Sequence, residues 1–254
     1  MLLALAQSFT DLIAPPVCAL CLGEGQRLDE AWGIDLCIHC EQSCTPLSAP
    51  CPRCAEPDSP AGCDRCRALP PPFDAAFCLF RYEDPVDLLV TSLKFRHELA
   101  PARVLGMLFA RLYLHSGRAL PQCIVPMPLH HTRLRERGFN QCAEIARHLA
   151  PRLRDAAGRR LPVRTDLLQR ARATRAQSEL DAAERAANLA GAFRTRPGAA
   201  LPPHIALLDD VMTTGHTAAA AARALKDAGC RRVEIWACAR AVRNQQGGPG
   251  HAVW

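Results

Sequence analysis

Residues 205–217 constrain the fold more than any other stretch of the chain. Ile205, Ala206, Leu207 and Leu208 are apolar without alternation, Asp209 and Asp210 follow at once, and Thr213-Thr214-Gly215-His216-Thr217 leads into an alanine-rich run. An unbroken apolar run bounded by polar residues predicts a short strand buried on both faces, as in a parallel sheet. Four other segments agree with it. Residues 123–128 read as a buried strand ending in a loop, 141–149 as a helix, 218–228 as a helix closed by Gly229, and 233–238 as another strand. Strand, turn, helix and strand in that order predict an α/β fold on a parallel sheet with flanking helices and right-handed crossovers. In such sheets ligands bind beyond the carboxyl ends of the strands.

That end of the 205–208 strand carries the polar chemistry. Two adjacent carboxylates, Asp209 and Asp210, suit the two hydroxyls of a ribose and can hold Mg²⁺ through water. Where Thr213 to Thr217 turn into a helix, backbone N–H groups and threonine hydroxyls converge on an anion. Gly215 permits a backbone approach that a side chain would block.

The front of the chain is of a different kind. Residues 1–72 hold nine of the fourteen cysteines, and nine acids against four bases, whereas residues 73–254 hold sixteen acids against twenty-seven bases. The composition therefore divides the chain into a cysteine-rich piece, 1–72, a basic body, 73–244, and a flexible tail, 245–254. Cys18 and Cys21, Cys37 and Cys40, Cys51 and Cys54, and Cys63 and Cys66 form four C-x2-C pairs. One such pair gives a metal two sulfurs from a single turn, and a second pair closes the tetrahedron. One or two structural zinc ions are expected. Pairing in sequence order is preferred, and the spacing leaves open a crossed pairing or a single filled site. His39 reads as an exposed neighbour of a ligand, and Cys44 as a spare donor.

Leu2, Leu5, Phe9, Leu12 and Ile13 share one helical face, which predicts a short amphipathic helix packing on its own protein. There is no basic segment or small-residue cleavage site for secretion, and no apolar stretch approaches the roughly 18 residues of a membrane span. The expected location is cytoplasmic, where clustered cysteines are metal ligands more often than disulfides. The acidity of residues 1–72 argues against contact with a nucleic-acid backbone and for protein docking or domain positioning.

Residues 205–217 resemble the phosphoribosyl pyrophosphate (PRPP) motif of type I phosphoribosyltransferases. More narrowly, Val125-Pro126-Met127-Pro128 through Arg137-Gly138-Phe139-Asn140-Gln141 resembles the ComF family of competence-associated proteins, also called GntX-like. Leu93-Lys94-Phe95, residues 177–188 with Arg185, and Gly191-Ala192-Phe193 match further. The resemblance implies a double zinc ribbon ahead of a phosphoribosyltransferase-like body that binds PRPP with Mg²⁺. It places the ribose hydroxyls on Asp209 and Asp210 and the 5′-phosphate on Thr213, Thr214, Gly215, His216 and Thr217, with Val211 and Met212 between them in the same PRPP-binding motif. Arg133, Arg137, Asn140 and Gln141 fall on the pyrophosphate side, with Arg137 expected in a loop beside Gly138. Residues 169–184 resemble the loop that closes over this type of site, and an ordinary surface helix fits them equally well.

Catalysis of this kind displaces pyrophosphate from the anomeric carbon by a nitrogen nucleophile. Its demand on the protein is positioning and charge screening, for which Lys94 and Arg137 are the candidates. Purine-salvage enzymes of the fold carry an acid where this chain has Thr213, and threonine takes no proton at neutral pH. His216 reads as a surface loop residue. Two classes of function follow: a phosphoribosyltransferase, or a non-catalytic PRPP sensor that handles single-stranded DNA or joins DNA-uptake proteins. Aromatic content of 5% leaves few stacking platforms for the second.

Overall fold

The computed structural model describes residues 15–27, 33–155, 158–172 and 191–242. The expected amphipathic helix, the 177–188 match with Arg185, residues 173–184 of the expected closing loop, and the 245–254 tail lie outside them.

Four parallel strands form the sheet. They are β3 (Ala75–Arg81), β4 (Cys123–Pro126), β7 (His204–Met212) and β8 (Arg232–Arg240), in the spatial order β3-β8-β7-β4. The two central strands are apolar on both faces. Ala206, Leu208, Trp236 and Cys238 enter one core, and Ile205, Leu207, Val233, Ile235 and Ala237 enter the other. This is the period of two that pleating imposes, with no solvent side to break the apolar run.

The first core is roofed by helices Val86–Phe95 (α3), Ala100–His115 (α4) and Gln141–Leu149 (α6). The second is covered by helix His216–Asp227 (α7) and by the antiparallel pair β5 (Leu168–Arg170) and β6 (Phe193–Thr195). The parallel α/β architecture expected from the sequence is present, with strand β7 longer than its apolar run. Pairing with β8 continues through Asp209, Val211 and Met212, so both acids lie inside the strand's carboxyl end. The residues left to turn are Thr213 to Gly215.

The cysteine region has little secondary structure of its own. It contains a two-residue ladder of β1 (Gln26–Arg27) with β2 (Gly33–Ile34), and helices Ile38–Gln42 (α1) and Asp64–Ala68 (α2). Its apolar groups are shared with the body. Cys18, Ile34, Leu36 and Cys44 belong to the first core, and Cys51, Cys54, Cys63 and Cys66 to the second. Among the described residues, no helix is long and apolar enough to cross a membrane.

Helices α4 and α6 meet at Gly106. A Cβ there would lie 2.7 Å from the Ile145 carbonyl oxygen and 2.9 Å from His148 Cβ. Glycine inside a helix ordinarily weakens it relative to alanine, so here the close approach of two backbones decides the residue. Gly106→Ala is expected to destabilise the fold by roughly 1–3 kcal/mol through overpacking. A rise in the chemical-denaturation midpoint would contradict this packing.

Candidate functional site

A cavity of about 610 Å³ opens at the carboxyl end of β7. This is the size of a small-molecule site. Its walls include Lys94 and Phe95 from α3, Arg133 and Arg137 from helix His131–Arg137 (α5), Gln141 from α6, Arg170 from β5, and Asp209, Asp210, Val211, Thr213 and Thr217. The sequence-expected ligands Lys94, Arg133, Arg137, Gln141, Asp209, Asp210, Val211, Thr213 and Thr217 are thus brought together.

Asn140, Met212, Thr214, Gly215 and His216 do not line the cavity, and Arg137 lines it from a different element than expected. Asn140 caps α6: its Oδ1 accepts from Cys142 N at 2.9 Å and Ala143 N at 3.3 Å, and its Nδ2 donates to the Met127 carbonyl at 3.0 Å. Met212 is buried in the second core. Arg137 ends a helix instead of sitting in a loop, with Gly138 as its left-handed cap. His216 is buried, 2% exposed, and its Nδ1 lies 2.7 Å from Thr214 Oγ1. It is therefore not the surface residue that the sequence indicated.

The centre of the cavity is a hydrogen-bonded ion network. Lys94 Nζ lies 2.6 Å from Asp210 Oδ2, Val211 N donates to Asp210 Oδ1 at 2.8 Å, and Gln141 Nε2 donates to Asp210 Oδ2 at 3.4 Å. Gln141 Oε1 in turn accepts from Arg137 Nη1 at 2.6 Å. Burial alone would raise Asp210, but the Lys94 ammonium and its hydrogen bond hold the carboxyl below the usual range. Burial likewise works against the Lys94 charge, and Asp210 outweighs it and raises the amine. Asp209 has weaker support. Asp210 N donates to it at 3.0 Å and the Cys142 thiol at 3.7 Å, while burial, followed by the adjacent Asp210 charge, pushes it up to about 7. Cys142, Asp209 and Asp210 cluster closely enough to share a cation. A magnesium ion would use the carboxylates alone, because hard cations take oxygen ligands.

Several lining residues were not singled out by the sequence reading. Arg170 reaches the cavity because β5 pairs with the distant β6, and His97 because its φ of 58° turns the chain beyond α3, with Nδ1 3.1 Å from the Arg137 carbonyl. Arg170 falls within the 169–184 segment that resembles a closing loop, though it was not singled out there, and His97 has no local sequence signal. Glu136 follows from the helical spacing of α5.

The eight paired cysteines form two quartets in sequence order, Cys18, Cys21, Cys37, Cys40 and Cys51, Cys54, Cys63, Cys66, each with its sulfurs within 4.8 Å of one another. Tetrahedral zinc with Zn–S of about 2.3 Å needs sulfurs about 3.8 Å apart. Cys21 and Cys37 sulfurs are 3.6 Å apart, and those of Cys54 and Cys63 are 3.5 Å apart. Cys40 N and Cys63 N approach Cys37 Sγ and Cys51 Sγ at 3.4 Å, the N–H donation that steadies a thiolate ligand. Both quartets are thus compatible with structural zinc. Cys44 stands apart, donating to the Cys40 carbonyl at 3.4 Å. The outlying Cys78, Cys123, Cys142, Cys230 and Cys238 are all buried, as small apolar residues are.

A four-stranded parallel α/β body, fastened to two four-cysteine clusters and open at the carboxyl end of its central strand, defines the class of protein. DNA utilization protein YhgH of Escherichia coli O157:H7 is 33% identical over 247 residues, covering 91% of this chain and 100% of that protein. The protein of the same name in Salmonella typhimurium is 34% identical over 243 residues, with coverage of 91% and 100%. Competence protein F of Haemophilus influenzae is 29% identical over 185 residues, or 70% of this chain and 78% of that protein. No protein-family model matches the chain. The chain belongs to the ComF family, together with these DNA utilization proteins.

Elemental analysis of freshly reduced protein should find two zinc ions per chain, and one in Cys63→Ser. Less than about one in the parent would contradict closed thiolate sites. Asp209 supplies a pH test. Its folded value of about 7 lies above the unfolded value of about 3.9, so its contribution to stability is fully present below about pH 4 and lost as pH rises to about 7. Asp209→Asn removes that loss. The variant's gain in Tm over the parent should be larger at pH 8 than at pH 5, and equal gains at both would refute the shift.

Proposed function

We propose that the cavity binds PRPP with Mg²⁺ and that the protein is a phosphoribosyltransferase acting on a nitrogen nucleophile within DNA utilization. The observation that carries this reading is the layout along one strand end and turn. Two carboxylates in β7 are followed after two residues by Thr213 to Thr217 at the start of a twelve-residue helix, and Asp209, Asp210, Thr213 and Thr217 face a cavity with Lys94, Arg133, Arg137 and Arg170 on its other walls. Carboxylates accept from ribose hydroxyls, the helix N-terminus takes the 5′-phosphate, and the cations take pyrophosphate. The C1–O bond to pyrophosphate breaks, a C1–N bond forms, and the proton on the nucleophile leaves.

Lys94 is already paired with Asp210 at 2.6 Å. Its role is to hold that carboxylate in place and to add positive charge where pyrophosphate departs. Asp209, with a raised pKa and fewer partners, is the carboxylate better able to exchange a hydrogen bond with ligand. Sequence places threonine, not an acid, at 213, which leaves proton removal from the nucleophile without a residue in the turn.

That absence favours a second reading, in which the PRPP site senses or positions while the protein handles single-stranded DNA or partners of DNA uptake. The names of the relatives, DNA utilization and competence, are consistent with either. Pyrophosphate release on a panel of nitrogen bases separates them, since binding without turnover on any base leaves the second.

The double substitution Asp209→Asn with Asp210→Asn should weaken Mg²⁺·PRPP binding at least about 100-fold, as expected for two lost charge-assisted hydrogen bonds, with zinc content unchanged. Parent-like affinity by calorimetry would rule out these carboxylates as the ribose site.

A further inference from the structure

The turn that follows Asp210 is held from behind by the cysteine region. Three successive carbonyls point to two guanidinium groups. Arg240 Nη1 donates to the Met212 carbonyl at 3.2 Å and also to that of Thr213, and Arg65 Nη2 donates to the Thr214 carbonyl at 2.8 Å. Arg65 lies between Cys63 and Cys66, two ligands of the second quartet. Arg240 is 2% exposed, and its other nitrogens donate to the Cys54 carbonyl at 3.1 Å and to Glu56 at 2.6 Å. Both arginines therefore span from the quartet to the turn.

Peptide planarity converts this anchoring into a statement about the cavity. In a trans peptide the carbonyl and the following N–H point in opposite directions. Turning the carbonyls of Met212, Thr213 and Thr214 towards the arginines turns the N–H groups of Thr213, Thr214 and Gly215 away from them, on the side where Thr213 and Thr217 line the cavity. These N–H groups meet no acceptor among the described residues. Gly215, at φ 83°, completes the reversal into α7. Consecutive N–H groups on one side of a turn form an anion-binding nest.

We propose that Arg65 and Arg240 are positioning residues that build the phosphate nest, so that a 5′-phosphate is bound only when the Cys51, Cys54, Cys63, Cys66 quartet is closed. This rests on the PRPP reading above and adds to it a coupling between thiolate centre and ligand. A metal at the quartet fixes the spacing of Cys63 and Cys66, that spacing fixes α2, and α2 carries Arg65 to Thr214. The pyrophosphate side of the cavity, walled by Arg133 and Arg137, has no such link among the described residues.

The two halves of the ligand can be tested separately by calorimetry with ribose 5-phosphate and with Mg²⁺·pyrophosphate. Arg65→Ala should weaken ribose 5-phosphate about tenfold, as expected for one lost charge-assisted hydrogen bond, and change pyrophosphate by less than about twofold. Arg65→Lys, which still reaches a carbonyl with a cation, should recover most of the loss. Zinc content and Tm in all three proteins show whether the fold is kept. Parent-like ribose 5-phosphate affinity in Arg65→Ala overturns the proposal, and so does an equal loss of both probes, which a merely structural role would give. Failure of the parent protein to bind either probe defeats the PRPP reading, and this proposal with it.

Discussion

Burial of β7 and β8 on both faces is the constraint on which the remaining structure depends. A strand with Ile205 and Leu207 in one core and Ala206 and Leu208 in the other has no face on which to keep a polar group. Chemistry can enter only where the strand runs out of cover, at its carboxyl end. Asp209 and Asp210 occupy that end while still paired in the sheet, so the backbone of the site is as rigid as the core. An unpaired ionised carboxylate there would be strongly destabilising, because burial penalises the charged form. Lys94 offsets the penalty for Asp210, and Asp209 keeps most of its own, which is why the two adjacent acids shift in opposite directions. Instability held at the wall of a cavity in this way fits a common exchange of stability for function.

Much of this was legible in the sequence, because it is written in local pattern. The apolar run at 205–208, the C-x2-C spacings and the helix at 141–149 each follow from a few neighbouring residues, and the structure reproduces them, the helix with the same ends. The quartets pair in sequence order, the preferred one of the arrangements the spacing allowed. Contacts set by distant chain were not legible. Asn140 has the side chain of a ligand and also that of an N-cap, and a sequence does not say which demand is met first. His216 follows a glycine in a polar string that reads as exposed, yet helix α7 starts on it and packs it inward. Arg170 and His97 enter the cavity through tertiary pairing and one unusual φ angle, neither of which has a periodicity.

The charge asymmetry of the chain has a structural use that composition alone could not assign. Several acids of the front piece pair with the basic body: Asp35 with Arg103, Glu41 with Arg111 and Glu56 with Arg240. Asp35 and Glu41 fasten the region of the first quartet to α4 on one side of the sheet. Glu56 and Arg240 fasten the second quartet on the side that carries the turn.

Partly buried pairs of this kind specify a geometry more than they add stability. Arg240 shows the consequence. One guanidinium accounts for an acid of the front piece, a carbonyl of a cysteine knuckle and two carbonyls of the turn after Met212. A lysine, with one point of charge, has no planar fork to reach in several directions at once. The acidic front and the basic body therefore serve one another before either meets a ligand. On the cavity wall, Arg133, Arg137 and Arg170 face the strand end and not the cysteines. The positive charge of the body thus has at least two uses: some of it joins the pieces of the chain, and some makes the cavity wall positive.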